Sequence, residues 1–117
     1  MNRYVIDGIK ADLFDGKRVG VIAGTLVGSR AIFHDVAEAI GGDAKRITRA
    51  SGNERIYMAN GGELRLYALN RSSLRGEIPD VIVILSRDSI APDRLSNLLD
   101  ELAPIRATNP NLEVIAN

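Results

Sequence analysis

The chain has 117 residues, no cysteine, no tryptophan and a single histidine. Without cysteine there is no disulfide framework, no thiolate nucleophile and no thiolate metal site, and nothing requires an oxidising compartment. One histidine excludes any multi-histidine metal centre. Aromatic residues make up only 4% of the chain, too few for an extensive base-stacking platform. Long hydrophobic runs are missing too. The longest lie at residues 19–23 and 81–85, far below the roughly 20 residues of a spanning helix. The Met1–Asn2–Arg3 start opens no signal-peptide apolar region. Net charge is also absent, 15 Lys and Arg balancing 15 Asp and Glu. These absences predict a cytoplasmic protein with no membrane partner.

What remains is the composition of one globular domain over residues 1–117, 45% hydrophobic and 26% charged. A chain of this length buries roughly 65% of its unfolded surface, enough for one core and not for two domains. The charges are unevenly placed. Residues 44–75 carry Lys45, Arg46, Arg49, Arg55, Arg65, Arg71 and Arg75 against Glu54 and Glu63 alone, while residues 76–117 are acidic. Such a basic middle suits an anionic ligand; it equally suits complementation by the acidic part of the domain or of a neighbouring copy.

The apolar spacing of Val5, Ile6, Ile9, Leu13 and Phe14 predicts an amphipathic helix from Arg3 to Phe14, stopped by Gly16. Residues 19–23 read as a short buried strand ended by Gly24. Beyond the loop Gly24 to Ser29, the residues Ile32, Phe33, Val36, Ala37 and Ile40 predict a helix from Arg30 to Ile40, with Ser29 as N-cap and Gly41–Gly42 as its stop. Residues 44–50 form a weak strand near a sheet edge. Two alternating runs, from Arg55 to Met58 and from Glu63 to Leu69, flank Asn60–Gly61–Gly62 and predict a β-hairpin. Residues 81–85 are apolar on both faces, as in a central parallel strand. A helix beginning at Ser89 and Pro92 runs through Leu95, Leu98, Leu99 and Leu102 and is stopped by Pro104, and residues 112–116 form a last strand. Strands alternating with helices, with one inserted hairpin, predict a three-layer α/β domain with a mainly parallel sheet. Ligands of such sheets bind at the carboxyl ends of strands, here the loops Gly24 to Ser29, Asn70 to Gly76 and Ser86 to Ala91.

The run from Gly16 to Thr25 (GKRVGVIAGT), the segment RIYMANGGELRL from Arg55, SSLRG from Ser72 and PDVIVI from Pro79 resemble the ATPase domain of phage large terminase subunits and related RecA-like helicase motors. The resemblance covers about two-thirds of the chain, from Val5 to Ile84, in short pieces. It implies a P-loop NTPase core, truncated, from a phage protein working in the host cytoplasm. The departures matter more. A phosphate loop GxxxxGK[ST] cradles phosphates with backbone N–H groups and supplies a lysine and a magnesium-binding hydroxyl; no such sequence occurs. The resemblance places the metal-holding Asp and catalytic Glu at positions 85 and 86, occupied by Leu85 and Ser86. Phosphoryl transfer depends on these parts, so no ATPase activity is expected, and no nucleotide cofactor.

Other catalytic arrangements are no better supplied. His34, beside Asp35, reads as a surface or boundary residue. The hydroxyls of Thr25, Ser29, Ser72, Ser73 and Ser86 have no evident base partner, and Glu77 with Asp80, or Asp100 with Glu101, read as a loop and a solvated helix face. No catalytic or metal-binding residues are assigned, and the expectation is a protein that is not an enzyme.

Two non-enzymatic functions follow. The first is an oligomeric interaction or assembly protein, a motor-core remnant whose central strands lack a neighbour and are covered by a second copy or by another protein. The second is a nucleic-acid-binding module. In the helicase relatives the loop after the first matched strand contacts the nucleic-acid backbone, which points here to Thr25, Ser29 and Arg30; the basic segment adds Arg49, Arg55, Arg65, Arg71 and Arg75, interleaved with Tyr57 and Tyr67.

Overall fold

A computed structural model describes residues 3–23, 26–49, 54–67, 79–85, 92–108 and 111–116. In chain order these form α1 (Arg3–Phe14), β1 (Arg18–Ala23), α2 (Leu26–Ile40), β2 (Arg46–Thr48), β3 (Arg55–Tyr57), β4 (Glu63–Tyr67), β5 (Val81–Leu85), α3 (Pro92–Thr108) and β6 (Glu113–Ala116). The loops expected at residues 70–76 and 86–91 lie outside the described residues.

The six strands form one mixed sheet in the order β2-β3-β4-β1-β5-β6. Strands β4, β1, β5 and β6 run parallel to one another, while β3 is antiparallel to both β2 and β4. The hairpin, the edge position of the weak strand and the parallel pairing of residues 81–85 thus follow the sequence pattern. Strand alternation divides the side chains between two faces. Ile47, Ile56, Leu64, Leu66, Val19, Val21, Val81 and Val83 pack with Ile9 and Leu13 of α1 and with Ile32, Phe33, Val36 and Ile40 of α2. On the opposite face Ile22, Ile82, Ile84 and Val114 pack against Leu102 and Ile105 of α3. Helices therefore cover both faces of a mostly parallel sheet, giving three layers.

Local chemistry explains the first helix end. Gly16 adopts φ 80°, its N–H donates to the Leu13 carbonyl at 3.1 Å, and the Lys17 N–H reaches back to the Asp12 carbonyl at 3.0 Å. This is a Schellman motif, which requires the left-handed conformation that glycine adopts without a Cβ clash.

Three expectations are corrected. Helix α2 begins at Leu26, so Ser29 lies inside its first turns rather than at the N-cap, and residues 26–30 are helical rather than loop; Leu26 and Val27 extend the apolar helical pattern N-terminally of the serine signal. Pro104 lies inside α3, which continues to Thr108, because Leu102 and Ile105 on either side of it both bury against the sheet. Finally, the central strands β1 and β5 each have neighbours on both sides, and the sheet's free edges are β2 and β6.

Candidate nucleic-acid interface

The sheet face that α3 covers is apolar only over β1, β5 and β6. On the β2–β3–β4 side the residues pointing to that face alternate with the half-buried Ile47 and the buried Ile56 and Leu64 and are polar: Arg46 and Thr48, Arg55 and Tyr57, Glu63 and Arg65. The strand register arranges them in two rows across the sheet. One row runs Arg46, Tyr57, Glu63, Arg18; the next runs Thr48, Arg55, Arg65, Gly20. Gly20 adds no side chain, so beyond Arg65 the second row passes directly to Ile82 under α3.

The rows hold Arg46, Arg55, Arg65 and Arg18 against a single carboxylate, Glu63. That carboxylate is occupied, its Oε1 accepting from Arg65 Nε at 3.2 Å and from Arg65 Nη2 at 2.9 Å. Arg18 is turned toward Asp80, whose Oδ2 accepts the Arg18 backbone N–H at 2.9 Å and stands 4.0 Å from its Nε. Arg55 Nη1 donates to the Tyr57 hydroxyl at 3.2 Å, and Arg46 forms no ion pair among the described residues. A cationic surface results, with Arg46 and Arg55 unmatched by carboxylates among the described residues, Arg65 paired to Glu63, and one aromatic ring between them. Cationic groups fixed on a sheet are suited to a polyanion, because their mutual repulsion is relieved when phosphates arrive.

The residues singled out in the sequence separate. Arg55 and Arg65 stand directly opposite each other in the register. Arg49 is exposed just beyond β2. Arg30 belongs elsewhere: it sits on α2, with its Nε 3.5 Å from Oε1 of Glu54, whose side chain is only 8% exposed. Ser29 falls in a helical stretch, and Thr25, Arg71 and Arg75 lie outside the described residues, as does Ser86. Tyr67 closes β4. Arg46 is not among the expected contacts; the β2–β3 register puts it in line with Tyr57.

Little else resembles a reaction centre. His34 is well exposed and lies 3.4 Å from Glu38 one helical turn away. Among the described residues no cluster of three or more histidine or carboxylate side chains could hold a metal ion, and no helix is long and apolar enough to cross a membrane. No protein-family model matches the chain, and no curated protein is significantly similar to it.

Proposed function

We propose that this chain is a non-enzymatic nucleic-acid-binding module that holds a sugar-phosphate backbone on the polar half of its sheet. The observation that carries this reading is the alignment of Arg46, Arg55 and Arg65 on one face, where the register places Arg55 and Arg65 side by side. A fold gains nothing from juxtaposing like charges, whereas a polyanion ligand does. Within the same proposal the chain is a degenerate terminase- or helicase-type core, phage-encoded and acting in the host cytoplasm. Its support is the order of strand, helix, hairpin and strand.

The test is fluorescence anisotropy of labelled DNA and RNA across a salt series. Binding should weaken steeply with salt, and Arg46→Ala, Arg55→Ala and Arg65→Ala should each flatten the log–log slope by about 0.7 to 0.9. Absence of salt-sensitive binding to any nucleic acid would overturn the reading.

One observation favours self-assembly as a second reading. Among the described strands β6 lies at an edge and pairs with β5 alone, and its Ile115, 39% exposed, is the register neighbour of the buried Val83. A second copy pairing at β6 would cover that edge. Sedimentation of wild type and Ile115→Lys at high concentration decides it, a monomer in both excluding the edge.

A further inference from the structure

An open cavity of about 250 Å³ lies at the hairpin end of the polar sheet face, against Lys45, Arg46, Tyr57, Met58 and the Gly61–Gly62 turn. Drug-sized ligands occupy pockets of roughly 300–1,000 Å³, so this one admits a single small group rather than an extended molecule. We infer that it takes one unpaired nucleotide of a single-stranded nucleic acid, its phosphate against Lys45 and Arg46 and its base against the Tyr57 ring. The inference rests on the nucleic-acid reading above and names the form of nucleic acid that the surface selects.

The charge at the cavity is unneutralised. Lys45 and Arg46 are both exposed, and neither pairs with a carboxylate among the described residues. Glu63, the carboxylate at the wall, is held by the two bonds from Arg65, which leaves the phosphate position to the two cations. The walls are set in advance. The Lys45 N–H donates to the Tyr57 carbonyl at 2.8 Å, fixing the backbone of the two strands against each other, and the Met58 N–H donates to the Gly62 carbonyl at 2.8 Å, closing the turn. The Tyr57 hydroxyl accepts from Arg55, tying the ring to the arginine rows. Binding to a prearranged surface loses less freedom than binding to a mobile one.

Tyrosine beside cations is the pairing that single-strand binders use: the phosphate meets the charge and the exposed base stacks on the ring. A base inside a duplex has no free face to offer, so a duplex reaches only the arginines.

The chain contains three tyrosines and no tryptophan, so its ultraviolet emission is tyrosine emission, and a base stacked on Tyr57 should quench part of it. The experiment titrates wild type, Tyr57→Phe and Tyr57→Leu with short labelled oligothymidylate, a matched-length duplex and polyglutamate, reading anisotropy and emission. Wild type should prefer the single strand over the duplex and show quenching. Tyr57→Phe should lose the Tyr57 share of the quenching, and Tyr57→Leu should bind the single strand about 5- to 100-fold more weakly with its salt slope unchanged. Equal quenching in wild type and Tyr57→Phe, equal affinity for single strand and duplex, or equal competition by polyglutamate would overturn the cavity assignment while leaving arginine-dependent nucleic-acid binding standing. Loss of all salt-sensitive nucleic-acid binding would remove both. Because the wild-type and Tyr57→Phe comparison is sufficient, an unfolded leucine variant leaves the test decisive.

Discussion

Arg55 and Arg65 are direct cross-strand partners on β3 and β4, two like charges where the hairpin would be better served by opposite ones. Each guanidinium has a separate partner on its own strand two residues away, the Tyr57 hydroxyl for Arg55 and the Glu63 carboxylate for Arg65. These bonds hold both side chains along the strand direction without cancelling the charge of Arg55. Like charges directly opposite cost a few tenths of a kcal/mol up to about 1 kcal/mol, an energy that salt can screen.

The wild-type thermal midpoint should therefore rise as salt is increased from about 0.01 M to about 0.15 M, over which the Debye length falls from roughly 30 to 8 Å. In Arg55→Thr the rise should be smaller, since threonine suits a strand and removes one of the two charges. Calorimetry of both proteins across the series measures this. Identical salt responses would mean that the two guanidiniums do not sense each other.

The hairpin turn is fastened to the end of α1 by Asn60. Its Nδ2 donates to the carbonyls of Leu13 at 3.2 Å and Phe14 at 2.9 Å, while its Oδ1 accepts the Gly62 N–H at 2.9 Å. The helix-end carbonyls are satisfied by a residue 46 and 47 positions away. Asn60→Ala should cost about 2 kcal/mol, given roughly 0.5–1.5 kcal/mol net per hydrogen bond. Gly62→Ala should cost about 1–3 kcal/mol, because a Cβ there would come 2.5 Å from the Leu13 carbonyl oxygen and force backbone to move. Both substitutions open the same junction. In urea unfolding the double variant should lose less than the sum of the two, and strict additivity would show that turn and helix end are energetically separate.

Much of this architecture was legible in the residues, for identifiable reasons. Val81–Leu85 is apolar at every position and becomes a strand whose Val81, Ile82, Val83 and Ile84 are buried on both faces. Gly16 stops α1 through its positive φ, and Asn60–Gly61–Gly62 reverses the chain with Gly61 at φ 96°. The errors arose where a local signal was outweighed, as at Pro104, where Leu102 and Ile105 bury against the sheet, and at Ser29, which the helix runs past. The site was less legible, because a charge count along residues 44–75 does not distinguish faces. Only the register shows that Arg46, Arg55 and Arg65 share one face while Arg30 turns to Glu54.

Pro104 offers a test of that competition. A proline inside a helix lacks the N–H that would bond the carbonyl four residues earlier and crowds it, costing about 3 kcal/mol relative to alanine in an exposed helix interior. Pro104 itself is exposed, so Pro104→Ala removes the defect without opening the α3 core. The variant should be more stable by about 1–3 kcal/mol, seen as a higher urea midpoint and a small gain in helical circular dichroism. A loss of stability would show that the proline is needed to seat Leu102 and Ile105 together.

Arg30 separates a structural arginine from a binding one. Its partner Glu54 is the buried polar residue among those described, 8% exposed, and the ion pair spans 3.5 Å. Removing one member of a buried pair costs roughly 3–5 kcal/mol, but Arg30 is itself 47% exposed, and solvent screening brings the expected cost down to about 1 kcal/mol. Arg30→Ala should lower the urea midpoint by that amount and leave nucleic-acid affinity and its salt slope unchanged, because α2 lies on the face opposite the arginine rows. Arg55→Ala should do the reverse, with little loss of stability and a flatter slope. If Arg30→Ala flattened the slope as much as Arg55→Ala, the bound strand would have to contact the α2 side, and the sheet face would lose its claim to be the interface.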